Sequence, residues 1–188
     1  KLTAVEDLEI VVETAAGTER IPAATVLWAA GVRASPIATT LRDRAGAELD
    51  RAHRVKIAPD SSIPGRPEIL VIGDLAHVAG PDGEPLPGVA PVAMQMGRYV
   101  ARLVRNRLEG RETPPFRYRD RGMLAVIGRA AAVASFGGLR FSGYLAWLLW
   151  LFVHLLYIVE YQNRVLIAIQ WGWSFVTRKR SARLITAR

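Results

Sequence analysis

The run Ile69-Leu70-Val71-Ile72-Gly73-Asp74-Leu75-Ala76 places a carboxylate one residue after a glycine, at the end of an apolar stretch. Glycine lacks a Cβ and lets the backbone come close to a ligand. Asp74 then projects from the C-terminal edge of a strand, the edge at which open α/β sheets bind ligands. A carboxylate in that position accepts hydrogen bonds from sugar or ribityl hydroxyls. The same residues also fit a strand followed by an Asx turn, so the pair alone does not decide between the two readings. Downstream, Ala90-Pro91-Val92-Ala93-Met94-Gln95-Met96-Gly97-Arg98 opens a helix next to that strand end. Its N-terminus offers N–H groups to an anion or an electron-rich ring edge. Upstream, Val26-Leu27-Trp28-Ala29-Ala30-Gly31-Val32 reads as a strand running into a glycine turn suited to backbone contact with a nucleotide. Arg121 is either a working cation or a solvated charge beside Asp120. His154 sits on an apolar face and reads as a packed or interfacial histidine, and His53 and His77 show no partner pattern.

These residues need elements to carry them. The pattern predicts strands at 8–13, 24–29 and 54–58, a buried strand at 68–72, and strands at 123–127 and 131–134. A turn is expected at Ala16-Gly17, and a short helix from Pro36 to Arg44. A Pro/Gly loop spans 80–88, and a long amphipathic helix spans 91–108, with Val92, Met96, Val100 and Leu103 on neighbouring faces. Two helical segments, 142–160 and 163–177, close the chain. The fold class is α/β.

Charge is distributed unevenly. Through Asp120 there are 16 Lys/Arg and 16 Asp/Glu, whereas the residues beyond hold nine basic residues and a single acid, Glu160, giving the net +8. The same tail holds Trp147, Trp150, Trp171 and Trp173, four of the five tryptophans. It also contains the uncharged run FSGYLAWLLWLFVHLLYIV (141–159) and the cluster Arg178-Lys179-Arg180. Apolar surface, interfacial aromatics and cations together describe a segment that meets anionic membrane lipid. Nucleic acid is not the expected partner, because the charges flank an apolar run rather than interleave with loops. The run is long enough to span a bilayer, but its Ser142, Gly143, Tyr144, His154 and Tyr157 favour helices lying in the interface. There is no cysteine, hence no disulfide, thiolate metal site or CxxC, and no metal site is assigned. No GxGxxG turn occurs, and Lys1 is not an initiator Met, so the chain reads as the C-terminal part of a longer protein.

The stretches TVLWAAGVRASP, ILVIGDLAHV, APVAMQMGRYVA, YRDRGMLAVIGRAAAVA and AWLLWLFVHLLYIVEYQNRV…WGWSFVTRKRSARLI occur in this order. Together they resemble the C-terminal part of type II NADH dehydrogenase, the single-subunit, non-proton-pumping NADH:quinone oxidoreductase. The GD pair is shared by the wider flavoprotein superfamily with two dinucleotide-binding domains; the Arg121–Arg129 stretch and the Trp/Arg tail are more specific. The resemblance implies electron transfer from NADH through FAD to membrane quinone in the respiratory chain. It divides the chain into the end of an NAD-binding domain (1–35), the C-terminal part of an FAD-binding domain (36–140) and a membrane-associating helical tail (141–188). Gly73 and Asp74 would hold the ribityl side of FAD, and Gly31 would belong to the crossover between domains. Ala93 and Gln95 would lie by the isoalloxazine, with Gln95 also at the quinone entrance. Arg121 stands where the family usually has a lysine beside the flavin and quinone, and Leu124 would line the quinone route. Trp147, Trp150, Trp171, Trp173, Arg178, Lys179 and Arg180 would meet the membrane. The expected location is peripheral, on the cytoplasmic face of a bacterial inner membrane, with a single span as the alternative. A homodimer is also an expectation. Two positions depart from the family. Pro91 replaces a glutamine and removes both its amide and an N–H, and Arg121 for lysine keeps the charge but changes its geometry. The rival readings are a sulfide:quinone-type flavoprotein and a non-catalytic lipid-binding module.

Overall fold

The computed structural model describes residues 2–6, 8–27, 29, 31–80 and 83–177. The chain forms two compact units, Lys1–Phe116 and Arg117–Arg188. The first opens with an antiparallel meander of β1 (Leu2–Glu6), β2 (Glu9–Thr14) and β3 (Gly17–Pro22). Among the described residues of the meander, Val11 of β2 is the one that is buried. Strand β3 is exposed throughout, which is why sequence periodicity finds the central strand and misses its neighbours. Arg20 joins the three strands by pairing with Glu6 and Glu9.

The expected strand at 24–29 does not form among the described residues of that stretch, 24–27 and 29. No partner strand bonds them, and Leu27 is 88% exposed. The chain instead runs irregularly to α1 (Ile37–Ala45). Pro36 precedes this helix with φ already near −54°, and Gly46 ends it at φ 71°. There the Gly46 N–H donates to the Arg42 carbonyl and the Ala47 N–H to the Leu41 carbonyl, satisfying carbonyls that the helix end leaves open.

Four short strands follow: β4 (Val55–Lys56), β5 (Ser62–Ile63), β6 (Arg66–Leu70) and β7 (Ala76–His77). β4 pairs in parallel with β7, and β5 pairs antiparallel with β6. The expected strand at 68–72 is therefore shifted toward its N-terminus and only half covered. Val71 is buried, yet Ile72 stays 40% exposed, because β6 pairs with β5 alone among the described strands. Helix α2 (Ala90–Leu108) is the longest element of the unit. Its buried residues Val92, Met96, Tyr99 and Leu103 recur every three or four positions, and Met96, like Val55 and Ile63, is fully buried. Tyr99 fills the place the periodicity gave to Val100, and its ring meets Phe116 edge-on at 5.5 Å.

The second unit is a three-stranded antiparallel sheet, β8 (Met123–Gly128), β9 (Ala131–Phe136) and β10 (Leu139–Gly143), followed by α3 (Tyr144–Tyr157) and α4 (Tyr161–Thr177). Ala132, Ala134 and Ala146 form its small core, with Leu124, Phe136, Phe141, Trp147 and Trp150 packed around them. The uncharged run is thus divided. Phe141–Gly143 belongs to β10, Gly143 turns at φ 87°, and Glu160 turns again at φ 69°. A 14-residue α3 extends only about 21 Å at 1.5 Å per residue, short of the ~30 Å hydrocarbon layer. Among the described residues no helix is long and apolar enough to cross a membrane, so the single-span alternative has no helix to carry it.

Candidate functional site

The Gly73–Asp74 turn forms as the sequence demands. Ile72 is extended, Gly73 adopts φ 68°, and Gly73–Leu75 makes one turn of 3₁₀ helix that swings Asp74 outward. Left-handed backbone at Gly73 would strain any residue with a Cβ. The start of α2 lies against this turn, since a Cβ on Gly73 would sit 3.5 Å from the Ala93 Cβ. Gly88 comes over Asp74 from the other side, and a Cβ there would lie 3.6 Å from Asp74 Oδ1. Arg54, Gly73, Asp74, Gly88, Val92 and Ala93 thereby line one narrow recess. Asp74 is exposed, and among the described residues no ion pair engages it. Helix α2 starts without a side-chain cap and without an acid in its first turn, leaving the positive end of its dipole uncompensated. A lone carboxylate acceptor, a glycine-cleared space above it and an uncapped helix start fit a polyhydroxylated, anionic ligand such as FAD. A roomier groove of about 360 Å³, lined by Pro59, Asp60, Pro64 and Pro115, contains none of the residues singled out from sequence. Size therefore does not mark the site.

The remaining expected positions of this unit are dispersed. Gln95 is half-buried on α2, two residues beyond Ala93 and thus on another face of the helix. Gly31 takes φ 97° in an exposed irregular segment, with open space where a Cβ would be. That segment is tied to the turn at 50–54, where the Ala34 N–H donates to the Ala52 carbonyl at 3.1 Å and Arg33 Nη2 meets His53 Nδ1 at 3.3 Å.

A cluster beside the recess escaped the sequence reading. The Asp50 carboxylate accepts the backbone N–H groups of Ala52 and Arg54 on Oδ1, at 2.9 and 2.8 Å. Its Oδ2 accepts Arg54 Nε at 2.7 Å and lies 2.9 Å from His77 Nδ1. Burial opposes ionisation of Asp50, but the His77 ring, the Arg54 backbone N–H and the Arg54 guanidinium outweigh it and lower its pKa to about 2. A carboxylate only accepts hydrogen bonds, so His77 Nδ1 carries the proton toward it. The sequence offers just a D-x-x-x-R spacing, too common to mark a site, and His77 acquires its partner only through the β4–β7 pairing.

In the second unit, Arg121 is exposed at the entrance to β8. Its neighbour Asp120 is otherwise occupied, accepting the Gly122 N–H at 2.9 Å. Burial and then the charge and hydrogen bond of Asp120 raise the pKa of Tyr118. Gly122, at φ 87°, is tightly enclosed: a Cβ there would fall 2.3 Å from Phe136 Cδ1 and 2.4 Å from the Ser135 carbonyl oxygen. Leu124, two residues on, packs half-buried against the alanine core.

The tail tryptophans divide between two environments. Trp147 stacks on Phe175 at 5.2 Å and Trp150 on Trp171 at 5.4 Å, joining α3 to α4, while Trp173 is 64% exposed. Arg129 lies 4.4 Å over the Phe175 ring and donates to the Phe175 carbonyl. His154 stays exposed, with Nδ1 2.8 Å from the Trp150 carbonyl one turn back and its ring 4.3 Å from the Trp150 ring. The opposite side of the helix pair is apolar and open, with Leu145 71%, Phe152 60% and Ile169 64% exposed. Arg178, Lys179 and Arg180 lie outside the described residues.

The sequence profile of the pyridine nucleotide-disulphide oxidoreductases matches residues 1–97, just over half of the chain. The chain belongs to the pyridine nucleotide-disulphide oxidoreductase family. Within that family it is similar to two proteins of Mycobacterium tuberculosis. It is 42% identical over 176 residues to the type II NADH:quinone oxidoreductase NdhA, covering 91% of this chain and 36% of that protein. It is 40% identical over 189 residues to the type II NADH:quinone oxidoreductase Ndh, covering 98% and 40%. The chain thus spans well under half the length of these relatives. In fold it is similar to an NDH2 of Plasmodium falciparum solved in complex with NADH, with a TM-score of 0.72 at 13% identity over 97% of this chain and 51% of that one.

Proposed function

We propose that this chain is the quinone-side portion of an FAD-dependent type II NADH:quinone oxidoreductase. The observation that carries the reading is the cradle around Asp74, glycine-cleared on two sides and set against an uncapped helix start, in a chain about two-fifths identical to oxidoreductases of that name. When bound, FAD supplies the two-electron chemistry between NADH and quinone. The residues of this chain hold and orient it. Asp74 accepts hydrogen bonds from ribityl hydroxyls, Gly73 keeps the backbone close, and Ala93 presents a small surface at the start of α2. Gln95 lies toward the ring and the quinone entrance, and Gly31 gives the crossover from the NAD-binding part (1–35) to the FAD-binding part (36–140). Arg121, with no claim on it from Asp120, places a fixed positive charge where negative charge develops on quinone. Leu124 lines the apolar route.

The segment 141–188 lies on anionic membrane lipid. The open apolar side of α3 and α4 and the exposed Trp173 enter the interface, and Arg178, Lys179 and Arg180 meet headgroups. This makes the enzyme peripheral, on the cytoplasmic face of a bacterial inner membrane, and a homodimer is part of the same reading. The test uses the full-length protein. It should purify with a flavin spectrum that NADH bleaches and a short-chain quinone analogue restores. Arg121→Ala should slow quinone reduction while leaving the NADH bleach intact. A protein without flavin, or one bleached by sulfide and not by NADH, would overturn the reading.

A further inference from the structure

We propose that Asp50 and Arg54 are positioning residues that hold the Leu86–Gly88 segment over Asp74 and so set the affinity for flavin; this rests on the FAD reading above. Arg54 uses two edges of its guanidinium in two directions. Nε is bound by Asp50 Oδ2 at 2.7 Å, and Nη1 donates to the Leu86 carbonyl at 3.3 Å. The Leu86 N–H donates in turn to the Val78 carbonyl at 2.8 Å, so the Leu86 backbone is held from both sides. Two residues later stands Gly88, whose missing Cβ leaves the space 3.6 Å from Asp74 Oδ1. The cluster is mostly shielded from water, with the Asp50 and Arg54 side chains 11% and 20% exposed. His77 closes the remaining side of the carboxylate, at 2.9 Å.

The geometry requires arginine. A lysine ammonium is a point charge and reaches one of the two acceptors, whereas the planar guanidinium reaches both. The same turn accepts Ala34 through the Ala52 carbonyl, so one buried carboxylate orders both the crossover segment and the segment over Asp74.

The experiment strips FAD from the full-length protein and titrates it back, following quenching of flavin fluorescence, with thermal unfolding of the apoprotein measured in parallel. Arg54→Lys should weaken FAD binding by about tenfold or more, the order expected for one lost hydrogen bond from a charged donor, with the apoprotein melting close to wild type. Gly88→Ala leaves Asp50 and Arg54 untouched and should weaken FAD binding as well, by filling the space above Asp74. Wild-type affinity in either variant would overturn the proposal. So would a loss in Arg54→Lys matched by an equal loss of apoprotein stability. A wild-type protein that takes up no FAD would instead overturn the flavin reading itself, which separates the two failures.

Discussion

Gly122→Ala is the substitution whose outcome follows most directly from the structure. Gly122 sits at φ 87° between Arg121 and β8, with its N–H bound by Asp120 and its Cα pressed against β9. A methyl group there meets two penalties. Left-handed backbone costs an L-residue about 1–2 kcal/mol. The methyl would also fall 2.4 Å from the Ser135 carbonyl oxygen, a backbone atom that cannot rotate aside, and 2.3 Å from the Phe136 ring. Relieving that overlap means shifting the β8–β9 pair, which at typical overpacking costs adds about 1–3 kcal/mol. The sum is roughly 2–5 kcal/mol, which lowers the melting temperature of the full-length protein on the order of 5–10 °C. Because Arg121 is the adjacent residue, the quinone-dependent rate should fall further than the rate with a soluble electron acceptor. Differential scanning fluorimetry and the two rates, measured on one preparation, test this. A Gly122→Ala protein that melts within a degree of wild type and reduces quinone normally would show that the turn is not packed against β9 as described.

Three further outcomes follow. Asp74→Ala removes the exposed acceptor and should weaken FAD binding ten- to a hundredfold, corresponding to about 1.5–3 kcal/mol for a charged hydrogen bond, measured by the same flavin titration. Asp50 has a folded-state pKa of about 2 against an ordinary 3.8, so its ionised form favours the fold. That stabilisation, on the order of 2 kcal/mol, is complete above about pH 4 and lost as pH falls toward 2, so Asp50→Asn should flatten the dependence of the urea midpoint on pH in that window. Replacing Phe152 and Ile169 together with aspartate should cut cosedimentation with vesicles containing anionic lipid at least tenfold, since each buried apolar side chain contributes about 1.5–3 kcal/mol. Unchanged binding would place the lipid contact elsewhere.

Elements whose own side chains set their period were legible from sequence. Helix α2 was legible from Val92, Met96 and Leu103 to within a residue at its start, and β8 and β9 fell where their apolar residues placed them. Elements defined by partners were not. Strands β1 and β3 exist because β2 offers them bonds, and Val26–Leu27 lacks a described partner and forms no strand despite its composition. Composition also hid the break at Gly143, because a strand end and a helix start are equally apolar there. At the candidate site, Gly73 and Asp74 were legible because local chemistry decides them. The Asp50–Arg54–His77 cluster was not, because it joins the turn before β4 to β7, which the β5–β6 pair separates in sequence. For the tryptophans, residue type was legible but direction was not: Trp147, Trp150 and Trp171 stack across the helix pair, while Trp173 is exposed.

Strand β10 passes into α3 at a single residue, Gly143, with no loop between them. The junction therefore has no slack, and the rotational phase of α3 is inherited from the sheet. Ala146, Trp147 and Trp150 face inward only because the helix starts where it does. One residue inserted there would turn α3 by about 100° and bring Leu145 to the place Ala146 holds in the core. Length at this position is thus under the same constraint as residue identity in the core. A homologous chain that differs by one residue at the junction would need a second change nearby to restore the phase.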